Sequence, residues 1–558
     1  MEPIWLKRYP PEVPKTLDLD PNESLVDIFA YACKTFPQRP AFANFGKKLS
    51  FAELNELSER FAAYLQSELA LTRGDRVAVM MPNLLQYPVV LFGTLRAGLV
   101  VVNLNPLYTS HELHHQLNDC GARAIVIVAN SAHELAAVVA DTPVEHVLVT
   151  EIGDLLGFPK RPLVNFVVRY IKRLVPSYDL PIARPFSDAL RQDGPAFVPP
   201  ADLTGTDLAF LQYTGGTTGV AKGAMLTHAN MVANTRQMNA WFTGHWVLGE
   251  EIIITALPLY HVYALTCNCL AYLAKGGLNV LITDPRDTKG MIIEMRKWKF
   301  TAITGVNTLY QRLVEHPLLP SVNFDALKLV SAGGMPVLQA TAENWAALTG
   351  KEILEGYGLS ETSPVLTTNP ADIDGYNGSI GLPMPNTDIS LRNEEGNEVP
   401  MGEMGEICAK GPQVMAGYWN DPETTAAAMT DDGYFKTGDL ATVDEKGFFW
   451  VVDRKKDMIL VSGFNVYPNE IENVLTQHSE ILEAACIGIF DDRSNEAVKV
   501  FVVLRPGAEL TEGEIRDYAK EYLTPYKVPR YVEFRDELPK SNVGKVLRRE
   551  LRNENKPA

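Results

Sequence analysis

Residues 213–223 read Tyr-Thr-Gly-Gly-Thr-Thr-Gly-Val-Ala-Lys-Gly and follow the strand-like Leu208 to Gln212. Gly215, Gly216 and Gly219 let the backbone turn so that successive N–H groups converge on an anion. Tyr213, Thr214, Thr217 and Thr218 add hydroxyls, and Lys222 adds positive charge. Residues of these types at this spacing make a phosphate cradle. The lysine comes three residues after Gly219, whereas a Walker A loop needs it directly after the glycine, so a P-loop NTPase is disfavoured. A polar turn with no ligand is the bland alternative, and the density of glycine, threonine and lysine argues against it.

Three further segments carry polar groups on glycine-rich turns. Glu355-Gly356-Tyr357-Gly358-Leu359-Ser360-Glu361 sets an aromatic ring beside glycines, with a hydroxyl and a carboxylate after it. Gly433 to Asp439 ends in a lone carboxylate suited to a ribose diol, and Pro539 to Lys545 presents a lysine on a turn. Singly, each is equally compatible with a structural turn. His111-Glu-Leu-His-His115 matches the zinc-protease pattern H-E-x-x-H. There Thr109 and Glu112 instead fit a capping box opening a surface helix, and no third ligand is apparent, so that reading is discounted.

The elements that must position these groups alternate. Phe51, Leu54, Leu57, Phe61, Tyr64 and Leu65 recur at helical spacing, and a second helix is expected from about Leu85. Short β-branched runs at 76–81, 100–103, 124–128, 146–150, 251–255, 279–283 and 302–305 read as buried, largely parallel strands. This pattern predicts an α/β fold with a large N-terminal domain of layered sheets. A charged cluster, Asp453-Arg-Lys-Lys-Asp457, marks a boundary, giving domains 1–453 and 454–558; the second carries strands at 484–489 and 497–504 and helices at 468–477 and 512–522. The formal charge of −17 repels nucleic acid, so none is expected as a partner. The six cysteines form no zinc pattern and predict a reduced, cytoplasmic protein. Neither a secretory h-region nor a membrane-spanning run is seen.

Taken together and in this order, the four motifs resemble the adenylate-forming superfamily of acyl-CoA synthetases, peptide-synthetase adenylation domains and luciferases. The resemblance spans essentially the whole chain. Asp432 to Lys456 is similar to the extended signature of the fatty-acyl branch, and Val461 to Glu472 and Leu538 to Leu551 strengthen the likeness.

The resemblance implies a ligase that activates a long-chain fatty acid with ATP and passes it to coenzyme A, releasing AMP and pyrophosphate. Thr214 to Lys222 would hold the β- and γ-phosphates; Tyr357 would stack on adenine, with Ser331 to Pro336, including Gly333 and Gly334, lining the base. Glu361 would bind Mg2+, Asp439 and Arg454 would grip the ribose, and Lys545 would bridge the acyl carboxylate and the α-phosphate. His261 would sit beside the substrate carboxylate, and Val262 to Leu273 would help form the acyl tunnel. The small domain would be a mobile α+β unit rotating about Lys456, bringing the Ser462–Asn465 loop, with Gly463 and Phe464, toward the CoA side. Two departures stand out: Ser360 replaces the usual threonine, and Leu265 stands where some long-chain members place a tryptophan gate.

Phe158 to Pro176 combines aromatics, valines and five basic residues in an acidic chain. It reads as a peripheral contact with the cytoplasmic face of the inner membrane or, equally, as a helix packed on its own domain or on a homodimer partner. The competing functions are a medium-chain or aryl acid–CoA ligase, an acyl-carrier ligase, a P-loop NTPase and an acyl-binding scaffold. Intact Lys222, Glu361, Asp439, Arg454 and Lys545 argue against the scaffold.

Overall fold

The pentapeptides Val100–Leu104, apolar except for Asn103, and Ala124–Val128 are buried at every position, as strands covered on both faces must be. They lie in a seven-stranded sheet of a computed structural model that describes residues 3–192, 194, 196–214, 221–461, 464–491, 494–541 and 544–555. The strand order is Ala183–Pro185, His146–Thr150, Ala124–Val128, Arg76–Met80, Val100–Leu104, Leu208–Thr214 and Lys222–Thr227. All neighbours are parallel except the last pair, a hairpin in which Thr214 faces Lys222.

A second sheet of nine strands is parallel at its centre, through Leu354–Gly358, Leu329–Ala332, Ala302–Gly305, Ile252–Thr255, Leu278–Leu281 and Pro40–Asn44. Its margins turn antiparallel. The two sheets share one hydrophobic core. The helix Gln86–Arg96 is buried on nearly all sides, the signature of a helix enclosed by other elements. Phe51–Ser67 forms the amphipathic helix expected from its spacing, opened by a reciprocal Ser50–Glu53 capping box.

Four antiparallel strands, Asp388–Arg392, Gly405–Lys410, Phe435–Val443 and Phe449–Arg454, form a third sheet. Beyond it, Ile459–Val461, Phe464–Val466, Ile481–Asp491 and Asn495–Leu504 pair antiparallel, and Tyr531–Phe534 adds in parallel. Helices Pro468–Thr476 and Glu512–Tyr522 close one apolar face of this sheet, and Leu551 of Arg548–Glu554 packs on the other. The fold is therefore α/β, a large N-terminal domain followed by a smaller C-terminal one.

Two polar networks hold the parts that matter for chemistry. In the first, Asn83 donates to the carbonyls of Thr255 and Leu257, at 3.0 and 2.9 Å, and accepts from Leu259 N at 2.8 Å. Tyr87 Oη lies 2.8 Å from both Asn103 Oδ1 and Leu259 O, and Gln212 donates to Tyr260 O at 3.0 Å. Side chains on or beside the first sheet thus fix the loop of the second sheet that ends at His261. Leaving any of these buried groups unpaired would cost about 1–3 kcal/mol, so the loop has one well-determined path.

The second network lies at the domain junction. Arg548 pairs with Glu472 at 2.6 Å, Asp457 at 3.3 Å and the fully buried Asp453 at 3.6 Å, while Arg552 pairs with Asp457 at 2.8 Å. Asp453 also accepts from Asn469 N at 2.7 Å. Burial lifts the Asp453 carboxyl to about 6, with the Arg548 cation opposing that rise.

Candidate active site

Thr214 and Lys222 are the last register partners of the hairpin strands, on either side of residues 215–220. Gly215, Gly216, Thr217, Thr218 and Gly219 lie outside the described residues, as does Gly463. Tyr213 gives its hydroxyl to Asp119 on the helix Ser110–Cys120. Lys222 Nζ donates to Thr424 Oγ1 at 2.8 Å and pairs with Asp421 at 3.4 Å.

Strand Leu354–Gly358 carries the aromatic–glycine motif to the cleft. Gly358 has no alternative there, because a Cβ would lie 1.8 Å from Pro364 O. Gly356 is less tightly confined, a Cβ there meeting Thr368 Oγ1 at 3.3 Å, and Gly333 packs against Gly356 O and the Tyr263 ring; Gly334 follows at the turn. Tyr357 Oη donates to Asp439 Oδ2 at 2.7 Å. Asp439 is buried, and its other oxygen meets Arg454 Nε at 3.1 Å; the two residues are also register partners. Ser360 and Glu361 occupy the next short turn. Glu361 is buried and takes a 2.9 Å hydrogen bond from Tyr418 Oη. Desolvation raises its carboxyl above the usual range.

The C-terminal turn enters this cleft from outside. Ser541 caps it, accepting from Gly544 N at 2.8 Å through its carbonyl and from Lys545 N at 3.2 Å through its hydroxyl. Gly544 adopts a positive φ, and a Cβ there would meet Thr308 Oγ1 at 2.5 Å. Lys545 is thereby brought within electrostatic reach of Arg454, Asp439 and His261. Burial, then the Arg454 cation, pulls its ammonium down to about 8. His261 caps the turn at Val262–Ala264, its Nδ1 accepting from Tyr263 N at 3.3 Å. Burial, then Lys545, holds its imidazole down at about 4, so it is neutral at neutral pH.

A cavity of about 2230 Å³ joins these groups, more than twice the upper end of ordinary small-molecule sites. Its apolar lining includes Met238, Val262, Cys267 and Val365. Lys456 lines the same cavity and is exposed, and desolvation brings its ammonium down to about 8. Phe464 does not join the cleft: it is 55% exposed and stacks on Tyr526 at 4.7 Å.

The zinc-protease pattern dissolves as expected from its flanks. Thr109 and Glu112 form a reciprocal capping box, and no cluster of three metal-ligating side chains occurs among the described residues. Four residues escaped the sequence reading: Tyr418, Asp421, Thr424 and Thr308. The Gly417-Tyr-Trp-Asn420 turn could have signalled the first three, whereas nothing in the sequence singles out Thr308.

Glu355 holds the glycine loop to its strand, accepting from Val337 N at 2.8 Å. Burial lifts its carboxyl to about 7. In the unfolded chain it ionises near 4.5, so between pH 4.5 and 7 the native state holds the extra proton and stability falls as pH rises. Glu355→Gln keeps the acceptor and removes the titration. Its melting temperature relative to the parent is expected to rise from pH 5 to pH 8, with a gain of up to about 3 kcal/mol. A difference that stays flat with pH contradicts this placement.

Residues 29–419 match the model of the AMP-binding enzyme family, and residues 470–545 that of the AMP-binding enzyme C-terminal domain. The chain is 56% identical over 554 residues to a long-chain-fatty-acid–CoA ligase of Yersinia pestis, covering 99% of this chain and 98% of that one. It is 35% identical to a feruloyl-CoA synthase of an Amycolatopsis species, covering 92% and 96%. The ATP-bound crystal structure of MatB from Rhodopseudomonas palustris superposes with a TM-score of 0.81 at 31% identity, covering 95% and 98%. The apo structure of MatB superposes less well, at 0.71 with the same identity and coverage.

Proposed function

The chain belongs to the AMP-binding enzyme family, and from that premise we propose that it is an ATP-dependent ligase joining long-chain fatty acids to coenzyme A. The observation that carries the reading is one cavity whose lining includes Lys545, His261, the Asp439–Arg454 pair, Thr214 and Lys222 together with apolar side chains such as Met238, Val262 and Val365, with Lys545 within electrostatic reach of both His261 and the Asp439–Arg454 pair. A reaction that makes a mixed anhydride from a fatty acid and ATP needs those environments side by side. Full-length likeness to a long-chain ligase, against a much lower likeness to a feruloyl-CoA synthase, favours the aliphatic acid over an aryl one.

In the first step the acid's carboxylate attacks the α-phosphorus, forming the acyl-adenylate as the bond to pyrophosphate breaks. We assign Lys545 to the oxygens that carry the shifting negative charge, a fixed cation in a desolvated cleft being worth more than one in water. Neutral His261, whose Nδ1 accepts from Tyr263 N, would offer its Nε2–H to the carboxylate as a hydrogen-bond donor. Asp439 is assigned to the ribose diol, Tyr357 to the adenine face and the Gly333–Gly334 loop to the base edge. Thr214, Lys222 and the intervening loop take the outer phosphates. Glu361 would hold Mg2+: it is a buried carboxylate whose side-chain partner is a hydroxyl rather than a cation, and this ion is commonly held by one carboxylate plus substrate phosphates. When bound, Mg2+ supplies neutralisation of the phosphate charge.

In the second step the CoA thiolate attacks the acyl carbonyl, a thioester forms and AMP leaves. We place a hinge at Lys456, so that the residues after it turn as one body, withdraw Lys545 and bring the segment around Phe464 to the site, while Arg454 stays with Asp439 in the third sheet. The better fit to ATP-bound than to apo MatB supports reading the present arrangement as the adenylate-forming one.

No helix among the described residues is long and apolar enough to cross a membrane. We place instead a peripheral bilayer contact at residues 158–176. Phe158, Leu163, Phe166, Tyr170, Ile171 and Leu174 are all exposed there, beside Lys160, Arg161, Arg169, Lys172 and Arg173. Exposed apolar side chains among cations suit an anionic lipid surface. Lys172→Glu/Arg173→Glu should lose flotation with anionic liposomes. Equal flotation, or a concentration-dependent dimer disrupted by the same change, would reassign this face.

The activity is tested by AMP and pyrophosphate release with ATP, Mg2+ and CoA across acetate, octanoate, oleate and coumarate. CoA-dependent turnover rising toward oleate is expected. Turnover with coumarate or acetate alone would overturn the substrate, and ADP release without any acid would overturn the chemistry.

A further inference from the structure

Lys222 does not extend into open cleft. Residues 416–419 run alongside its strand as an added ribbon: Ala416 N donates to Met225 O, Met225 N to Gly417 O, and Trp419 N to Gly223 O, at 2.8–3.0 Å. This ribbon delivers Tyr418, whose ring lies 5.6 Å from Lys222 Nζ and whose hydroxyl reaches Glu361. The chain then turns at Asp421, which caps the short helix Pro422–Ala427 by accepting from Thr424 N through Oδ1 at 2.9 Å. Its other oxygen, Oδ2, and Thr424 Oγ1 both face Lys222 Nζ, at 3.4 and 2.8 Å. An acidic and a hydroxyl oxygen thus occupy two of the three directions in which an ammonium donates.

We propose that Asp421 and Thr424 form a counter-site that holds Lys222 in the nucleotide-free enzyme, so that the phosphates of ATP must displace them to engage it. The inference rests on the assignment of Lys222 to the ATP phosphates. Both sets of oxygens compete for one ammonium, so the counter-site lowers ATP affinity while keeping the lysine beside its binding place. Asp421 and Thr424 are on this account positioning residues, acting only through Lys222. The pair is partly exposed, and partly exposed ion pairs are weak, which makes the lysine easy to release.

The test is a set of ATP dissociation constants by titration calorimetry, without acid or CoA, for the parent chain and its variants. Asp421→Asn keeps the helix cap and is expected to tighten ATP binding about two- to fivefold. Thr424→Val removes a hydrogen bond without changing charge and should shift affinity in the same direction. Lys222→Ala should weaken binding, and in that background both substitutions should become silent. Tightening by Asp421→Asn that persists with Lys222→Ala would mean simple repulsion between Asp421 and ATP, and would overturn the counter-site. Unchanged affinity in both single variants would overturn it as well. Unchanged affinity in Lys222→Ala alone would instead remove the phosphate role of the lysine. Melting temperatures of all variants identify any that fail to fold, and Thr424→Val carries the test if Asp421→Asn does.

Discussion

The approach of Gly544 to Thr308 is the contact on which the rest of the site depends. A side chain at 544 would press a carbon to 2.5 Å from the threonine oxygen, so only glycine lets the C-terminal turn come so close. Because that turn is tightened by Ser541, the next residue, Lys545, is carried into the cleft. Without this docking the large domain holds a nucleotide-type pocket but lacks the cation at its centre. The junction network around Arg548 serves the same end. It ties Asp453, on the last strand of the third sheet, to Asn469 and Glu472 of the small domain.

Burial then sets the chemistry. The cleft lowers Lys545 to about 8 and His261 to about 4, and raises Glu355 to about 7. Each shift has desolvation as its largest cause, and the first two leave a defined charge state near neutrality. Lys545 stays cationic, His261 stays neutral, and Glu355 sits near its midpoint. Incoming phosphates and a carboxylate would add negative charge beside Lys545, which favours its charged form further.

Much of this was legible in the sequence because it depends on local rules. Alternating apolar runs gave both parallel sheets, and the Thr109–Glu112 spacing correctly turned a metal motif into a helix start. Motif order brought out Tyr357, Asp439, Arg454 and Lys545, which the fold gathers from distant parts of the chain. The antiparallel third sheet was harder to read, since strands such as Phe435–Val443 mix buried and partly exposed residues without clean alternation. The pins at Asn83, Tyr87 and Gln212 were not legible, because an isolated amide or phenol gains meaning only from the carbonyl it meets more than 45 residues away. Thr308 belongs to the same class: its role comes from what docks on it.

The central claim is that the docked Lys545 serves the adenylate-forming half of the reaction and leaves for the other half. The direct measurement compares Lys545→Ala with the parent chain in two assays: pyrophosphate release from oleate and ATP, and oleoyl-CoA formation from synthetic oleoyl-adenylate and CoA. The account predicts a loss of about 100-fold or more in the first, in line with removal of a transition-state charge partner, and a far smaller loss in the second. Equal loss in both half-reactions would contradict it.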